Sequence, residues 1–197
     1  MILFYNTLAA KTRRNERRND PMKKLIPFLA LLCAVLLSFS VMAETTSITW
    51  DEAGAPVVEA ANIEGGFYSI EELGLAVWLP AGLSNADISE EDAAAGRLYL
   101  LTDEEQTCAF IIDAVHVDGM TLDQAYQNAV DSGMVEPEIV NINGLNAVSY
   151  KNEAINAGCV VLVDTNSNLI IFSITPIEGE DAELVFGLIM SSIMPLE

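Results

Sequence analysis

His116 is the only histidine in the chain, and Asp113 and Asp118 stand close to it in sequence. Asp113-x-x-His116-x-Asp118 supplies an imidazole and two carboxylates, the donor types of a metal site or a hydrolytic centre. Residues 107–117 read as a strand, however, and side chains on a strand alternate between faces. His116 and Asp118 then share a face and Asp113 points to the other. Two ligands at a strand end do not close a site, so His116 is expected as a partly exposed strand-end residue. No Gly-x-Ser-x-Gly elbow partners it in a triad. Asp164-Thr165-Asn166-Ser167-Asn168 copies the first five positions of a calcium loop, but Leu169 stands where Gly is needed and Thr175 where Glu is needed. That segment is expected to be a polar hairpin turn. The motifs specify no catalytic residue, no metal and no cofactor.

Carboxylates are abundant but unranked. Three clusters stand out: Glu90-Glu91-Asp92, Asp103-Glu104-Glu105, and Glu178 with Glu180, Asp181 and Glu183. Such clusters hold divalent cations, meet a basic partner, or form a solvated acidic surface, and the last is the expectation here. Of 29 acidic and 9 basic residues, all but two acids and all but Arg97 and Lys151 among the bases divide at Glu44, leaving −25 on residues 44–197. A domain with two cations cannot grip a phosphate backbone, which excludes nucleic acid and disfavours nucleotides and anionic membrane surfaces. The same charge predicts like-charge repulsion in the folded state. Carboxylate pKa values are then expected to rise, with stability greatest toward acid and salt stabilising.

Cys108 and Cys159 are the cysteines beyond the N-terminal segment, both near the starts of apolar strands. Export permits a disulfide between them; two buried thiols acting as small hydrophobes is the other reading, and the residues leave both open.

An export signal is complete from Met22: Lys23 and Lys24, an apolar run over 25–37, and Val41-Met42-Ala43 before cleavage. The apolar run is short against the roughly 20 residues a membrane span needs, so no stable span is expected after cleavage. Residues 1–21 are expected to be an extension from a start codon placed too early. The expected organisation is therefore an extension over 1–21, a signal peptide over 22–43 and a single secreted domain over 44–197.

Those residues need elements to carry them. Short strands are expected over 47–50 and 56–61, then over 67–70 and 73–79, the latter ended by Pro80. Ser89 opens a short helix that stops at Gly96. Strands over 97–102 and 107–117 follow. Thr121-Leu122-Asp123-Gln124 is a capping box, and its helix places Leu122, Ala125, Tyr126, Ala129 and Val130 on one face. Asn143-Gly144 joins strands over 138–142 and 145–152, the strongest short hairpin signal. Another hairpin spans 159–164 and 169–177, and Asp181 is expected to cap a last helix. Hairpins without βαβ alternation give an α+β fold, a mainly antiparallel sheet covered by helices.

The run Phe67-Tyr68-Ser69-Ile70-Glu71-Glu72-Leu73-Gly74-Leu75-Ala76-Val77-Trp78-Leu79-Pro80 resembles the opening of PsbP-like domains. The later order of helix, Asn143-Gly144 hairpin, 158–177 hairpin and C-terminal helix is also similar, so the resemblance spans about residues 67–194. It implies an α/β/α sandwich used for binding and assembly, without a general catalytic motif. The strands expected before Phe67 depart from that pattern.

The last helix is apolar over well over half its circumference, through residues such as Val185, Leu188 and Met190. A helix on one sheet face needs an apolar arc of only about 100° or somewhat more. The excess requires cover from the segment before Phe67, from a ligand or partner protein, or from a second subunit in a weak homo-oligomer. The expected function is an exported, non-enzymatic binding or assembly module for a protein or small-molecule partner. The alternative is a secreted hydrolase of cell-wall or carbohydrate material working through two carboxylates 5–10 Å apart.

Overall fold

Period-two alternation builds the larger layer. In β9 (Ala157–Val163) and β10 (Asn168–Thr175), Val160, Leu162, Ile170, Phe172 and Ile174 fall on one face and are buried in the main core. The computed structural model describes residues 45–196; the expected extension and signal peptide lie outside the described residues. β1 (Thr46–Ile48), β4 (Ser84–Asn85), β5 (Arg97–Thr102), β6 (Ala109–His116), β7 (Val135–Ile142) and β8 (Leu145–Asn152) join β9 and β10 in an eight-stranded sheet. Its order is β1-β7-β8-β9-β10-β6-β5-β4, antiparallel except for the β1–β7 pair. β2 (Gly65–Ile70), β3 (Leu75–Pro80) and β11 (Met194–Pro195) make a second sheet of order β11-β3-β2.

The described residues also form four α-helices: α1 (Ala55–Ala61), α2 (Glu90–Ala94), α3 (Leu122–Asp131) and α4 (Glu180–Ser191). The α3 capping box forms as expected, with Thr121 and Gln124 each closing on the other's backbone N–H. Ser89 caps α2 by accepting from the Asp92 N–H. Asn143 and Gly144 sit at φ 47° and 87°, the paired positive values of a type I′ turn.

Three apolar clusters stack the layers. α3 covers one face of the large sheet through Ala125, Ala129, Val148 and Val161. On the other face, Phe110, Phe172 and Val160 meet Val77 and Leu79 of β3, Ile189 of α4 and Ile193 just after it. Beyond that second layer, Trp78 and Leu188 pack with Trp50 and Val57. The fold is α+β, a mainly antiparallel sheet with helices on both faces.

Residues 56–61 depart from the expected strand. They form α1, preceded by a π-helical turn over Trp50–Gly54. Pro56, whose fixed φ suits a first helical turn, lies at the start of α1. Gly54 lies so close under the Trp50 ring that a Cβ there would overlap it. Val57 gains its burial from Trp50, Trp78 and Leu188, surfaces distant in sequence. At the other end α4 starts from Gly179, with no side-chain cap, and Asp181 lies inside the first turn. Val130 is 41% exposed, off the buried face of α3.

Candidate functional site

The structure brings His116 of one sequence motif beside Asn168 of the other, in a surface network of His116, Asp118, Asn168 and Asp164. His116 Nδ1 lies 3.1 Å from Asn168 Oδ1 and Nε2 lies 2.9 Å from Asp118 Oδ1. The bond to Asp118, and then that to Asn168, holds the His116 pKa above its ordinary value. Asp113 is on the opposite face, as alternation requires, accepting from Arg97 Nε at 3.0 Å. Arg97 also reaches Asp92 at 3.1 Å, and Lys151 reaches Glu183 at 3.3 Å and Glu136 at 3.9 Å. Each cation therefore serves two carboxylates.

The Asp164 turn uses up its own oxygens. Oδ1 accepts from the N–H of Asn166 at 2.7 Å and of Asn168 at 2.8 Å, and Oδ2 accepts from Asn168 Nδ2 at 2.7 Å. Burial raises this carboxyl, but the hydrogen bonds outweigh it and its pKa stands below the usual range. Asp103 is held low by the Thr107 hydroxyl and the Cys108 N–H, and Glu72 by the Tyr99 hydroxyl. Tyr99 is in turn pushed up to about 12 by Glu72. These carboxylate shifts run opposite to the rise expected from net charge. A donor in contact stabilises the anion more than distributed charges, screened by water, destabilise it. Among the described residues no three His, Cys, Asp or Glu side chains gather as a metal site.

Cys108 and Cys159 are free thiols. β10 lies between β9, which carries Cys159, and β6, which follows Cys108. Two inter-strand steps are about 9–10 Å, beyond the ~7 Å Cα reach of a disulfide. The faces differ as well: Cys108 packs on the main core, whereas Cys159 alternates with Val160 and stands 3.4 Å from Ser173 Oγ. Burial pushes both thiols up.

The apolar arc of α4 is covered from within. Leu188 is 1% exposed, beneath Trp50, Val57 and Trp78; Met190 is 4% exposed in the main core, and Val185 is half-buried against it. Trp50 and Val57, from the segment before Phe67, cover Leu188 together with Trp78, and the main core covers Met190 and part of Val185.

The open surface is elsewhere. β10 is apolar on both faces and β6 nearly so, and α3 packs mainly over β7, β8 and β9, its apolar cluster ending on Leu169 and Ile171 of β10. From there the outer face of the large sheet continues through Leu169 and Ile171 of β10, Ile111, Asp113 and Val115 of β6, and Arg97 and Leu100 of β5, all half-buried. Register sets Leu169 opposite Val115, Ile171 opposite Asp113 and Ile111 opposite Leu100, which makes an aliphatic strip crossed by the Arg97–Asp113 ion pair. A cleft of ≈ 150 Å³ lies where α3 meets this strip, lined by Asn128, Ser132, Tyr150, Val161, Leu169 and Ile171 among others, with no carboxylate. Burial pushes the Tyr150 hydroxyl up to about 12, so it stays protonated. The strip can bury apolar side chains, and the cleft adds neutral donors and acceptors at its rim. The sequence carried a signal for it: strands apolar on both faces outnumber the helices available to cover them.

No family model matches the chain, and no curated protein matches it. Solved structures similar to it include the cyanobacterial PsbP protein, CyanoP, of Synechocystis, at 14% identity and TM-score 0.48 over 68% of this chain and 93% of that one. A Bacteroides thetaiotaomicron protein aligns at 13% and 0.45 over 68% of this chain and 50% of its own. The Saccharomyces cerevisiae Ran-binding protein Mog1p aligns at 13% and 0.41 over 68% and 97%. Likenesses of this size do not show membership of a family.

Proposed function

We propose that the chain is an exported, non-enzymatic binding or assembly module, and that its partner docks on the uncovered half of the outer sheet face. The observation that carries this reading is the outer face of β10, β6 and β5, where Leu169, Ile171, Val115, Ile111 and Leu100 form an aliphatic strip that runs out from under α3 and is crossed by the Arg97–Asp113 ion pair. Soluble domains rarely leave such a surface without a use. A charge of −25 on residues 44–197 favours a protein partner whose apolar contact surface is ringed by Lys and Arg. Export is supported by the n-region, apolar run and small-residue cleavage pattern ending at Ala43. No observation favours the two-carboxylate hydrolase.

The test is a photoreactive side chain placed at Leu100 in the source cells. A discrete cross-linked partner is expected, lost when Ile111 is replaced by Asp in a variant that keeps its melting temperature. An adduct that persists in that variant, or no adduct at all, would remove this face as the docking site.

A further inference from the structure

β2 is the free edge of the smaller sheet, and its backbone orientation follows from two hydrogen bonds. Ala81 N–H donates to Glu64 O at 2.8 Å, which makes the even-numbered residues of β2 the ones that bond to β3 in the continuous register Gly65↔Pro80 to Ile70↔Leu75. Trp78 N–H turns away from β2, donating to Ser192 Oγ at 2.8 Å. Phe67, opposite Trp78, therefore directs its own N–H and C=O out of the sheet, and Gly65 and Ser69 do the same. Among the described residues no hydrogen bond outside the ladder reaches these groups.

Natural edges are guarded by charge, proline, bulges or shortness. The two edges of the large sheet are short, three residues in β1 and two in β4. β2 is six residues, Gly-Gly-Phe-Tyr-Ser-Ile, with no charge, no proline and an unbroken register, and Phe67 is 49% exposed. We propose that β2 takes up an extended peptide by strand addition, the peptide being apolar in its centre and carrying Lys or Arg at both ends. The proposal goes beyond the docking face above, since β2 belongs to the other sheet.

The charge pattern selects the occupant. Exposed Glu64 precedes β2, exposed Glu71 and Glu72 follow it, and residues 45–96 contain no Lys or Arg. An antiparallel second copy centred on Phe67 would bring Glu64 of one chain beside Glu71 of the other. Centred on Tyr68, it would set Glu64 opposite Glu72. Like charges so placed destabilise a strand pair at both ends. A peptide with cations about seven residues apart meets carboxylates at both ends instead.

The probe is a labelled Lys-Val-Thr-Val-Thr-Val-Lys peptide, read by fluorescence anisotropy and by amide hydrogen exchange. Saturable binding is expected, with exchange slowed at Phe67 and Ser69. Ser69→Pro removes an outward N–H that β3 does not use, so it should leave the melting temperature in place and weaken binding at least tenfold. The double variant E64K/E71K should reject this peptide and accept its Glu-flanked counterpart. Absence of binding, or binding without protection at Phe67 and Ser69, overturns the proposal. Protection of those amides that grows with protein concentration and without peptide overturns it in favour of self-pairing. Since Leu100 and Ile111 lie on the other sheet, neither result bears on the docking face above.

Discussion

Asn143→Gly isolates the contribution of one side chain to the assembly of the domain. Asn143 Oδ1 accepts from the Trp50 N–H at 2.7 Å, and its Nδ2 donates to Ser191 O and to Ile193 O, each at 2.8 Å. One amide thus fastens the N-terminal π-turn, the central hairpin and the C-terminal end of α4. Glycine keeps the φ of 47° accessible, so the turn itself survives. Its greater freedom in the unfolded chain costs about 0.5–1 kcal/mol, which roughly offsets its relief of the left-handed conformation. What remains is three hydrogen bonds of about 1 kcal/mol each, so the expected loss is roughly 2–3 kcal/mol. For a domain of this size that lowers the melting temperature by roughly 4–12 °C. Asn143→Asp should cost more, because it turns a carboxylate oxygen toward two carbonyls, and its loss should shrink in acid as that carboxyl protonates. Urea melts of the three proteins at pH 7 and pH 4 measure both effects. A glycine variant within about 0.5 kcal/mol of the parent, or an innocuous aspartate, would refute the clasp.

Leu188→Ala should cost roughly 2–5 kcal/mol by emptying the space beneath Trp50 and Trp78, again by urea melt. Gly158→Ala should cost about 1–3 kcal/mol, since its Cβ would press into the Phe186 ring, and the penalty should fall in a Phe186→Leu background. His116 has a folded pKa above its unfolded value, so its pairing stabilises fully below about pH 6.5 and is lost as pH rises through the raised value. Its NMR titration midpoint should fall in Asp118→Asn, and His116→Gln should flatten the melting temperature between about pH 6 and 8.

The hairpins were legible because their signals are local. Asn143-Gly144 must turn through positive φ whatever surrounds it, and Thr121 and Gln124 close their box within one helical turn. His116 was legible for the same reason, since alternation alone separates it from Asp113. The segment 56–61 was not, because Val57-Val58 favours strand locally and only Trp50, Trp78 and Leu188 together provide the surface that makes α1 pay as a helix. The lowered pKa values of Asp103, Glu72 and Asp164 were not legible either, because net charge is a sum over the chain whereas these three answer to donors in contact.

By itself, then, the order of residues determined the α+β class, the hairpin turns, the α3 cap, the acidity, and an apolar surplus on α4 that had to be covered. These follow from dihedral preference, periodicity and charge, which act over a few residues or are simple totals. Tertiary structure decided which surplus was covered and which was left open. The π-turn and α1 folded back onto α4, burying Leu188, while the apolar cluster under α3 ended at β10. Both outcomes depend on where elements far apart in sequence come to rest, as do the separation of Cys108 from Cys159 by β10 and the free edge of β2. Burial and hydrogen bonding between distant segments are pairwise quantities, and a single chain read in order does not state its pairs.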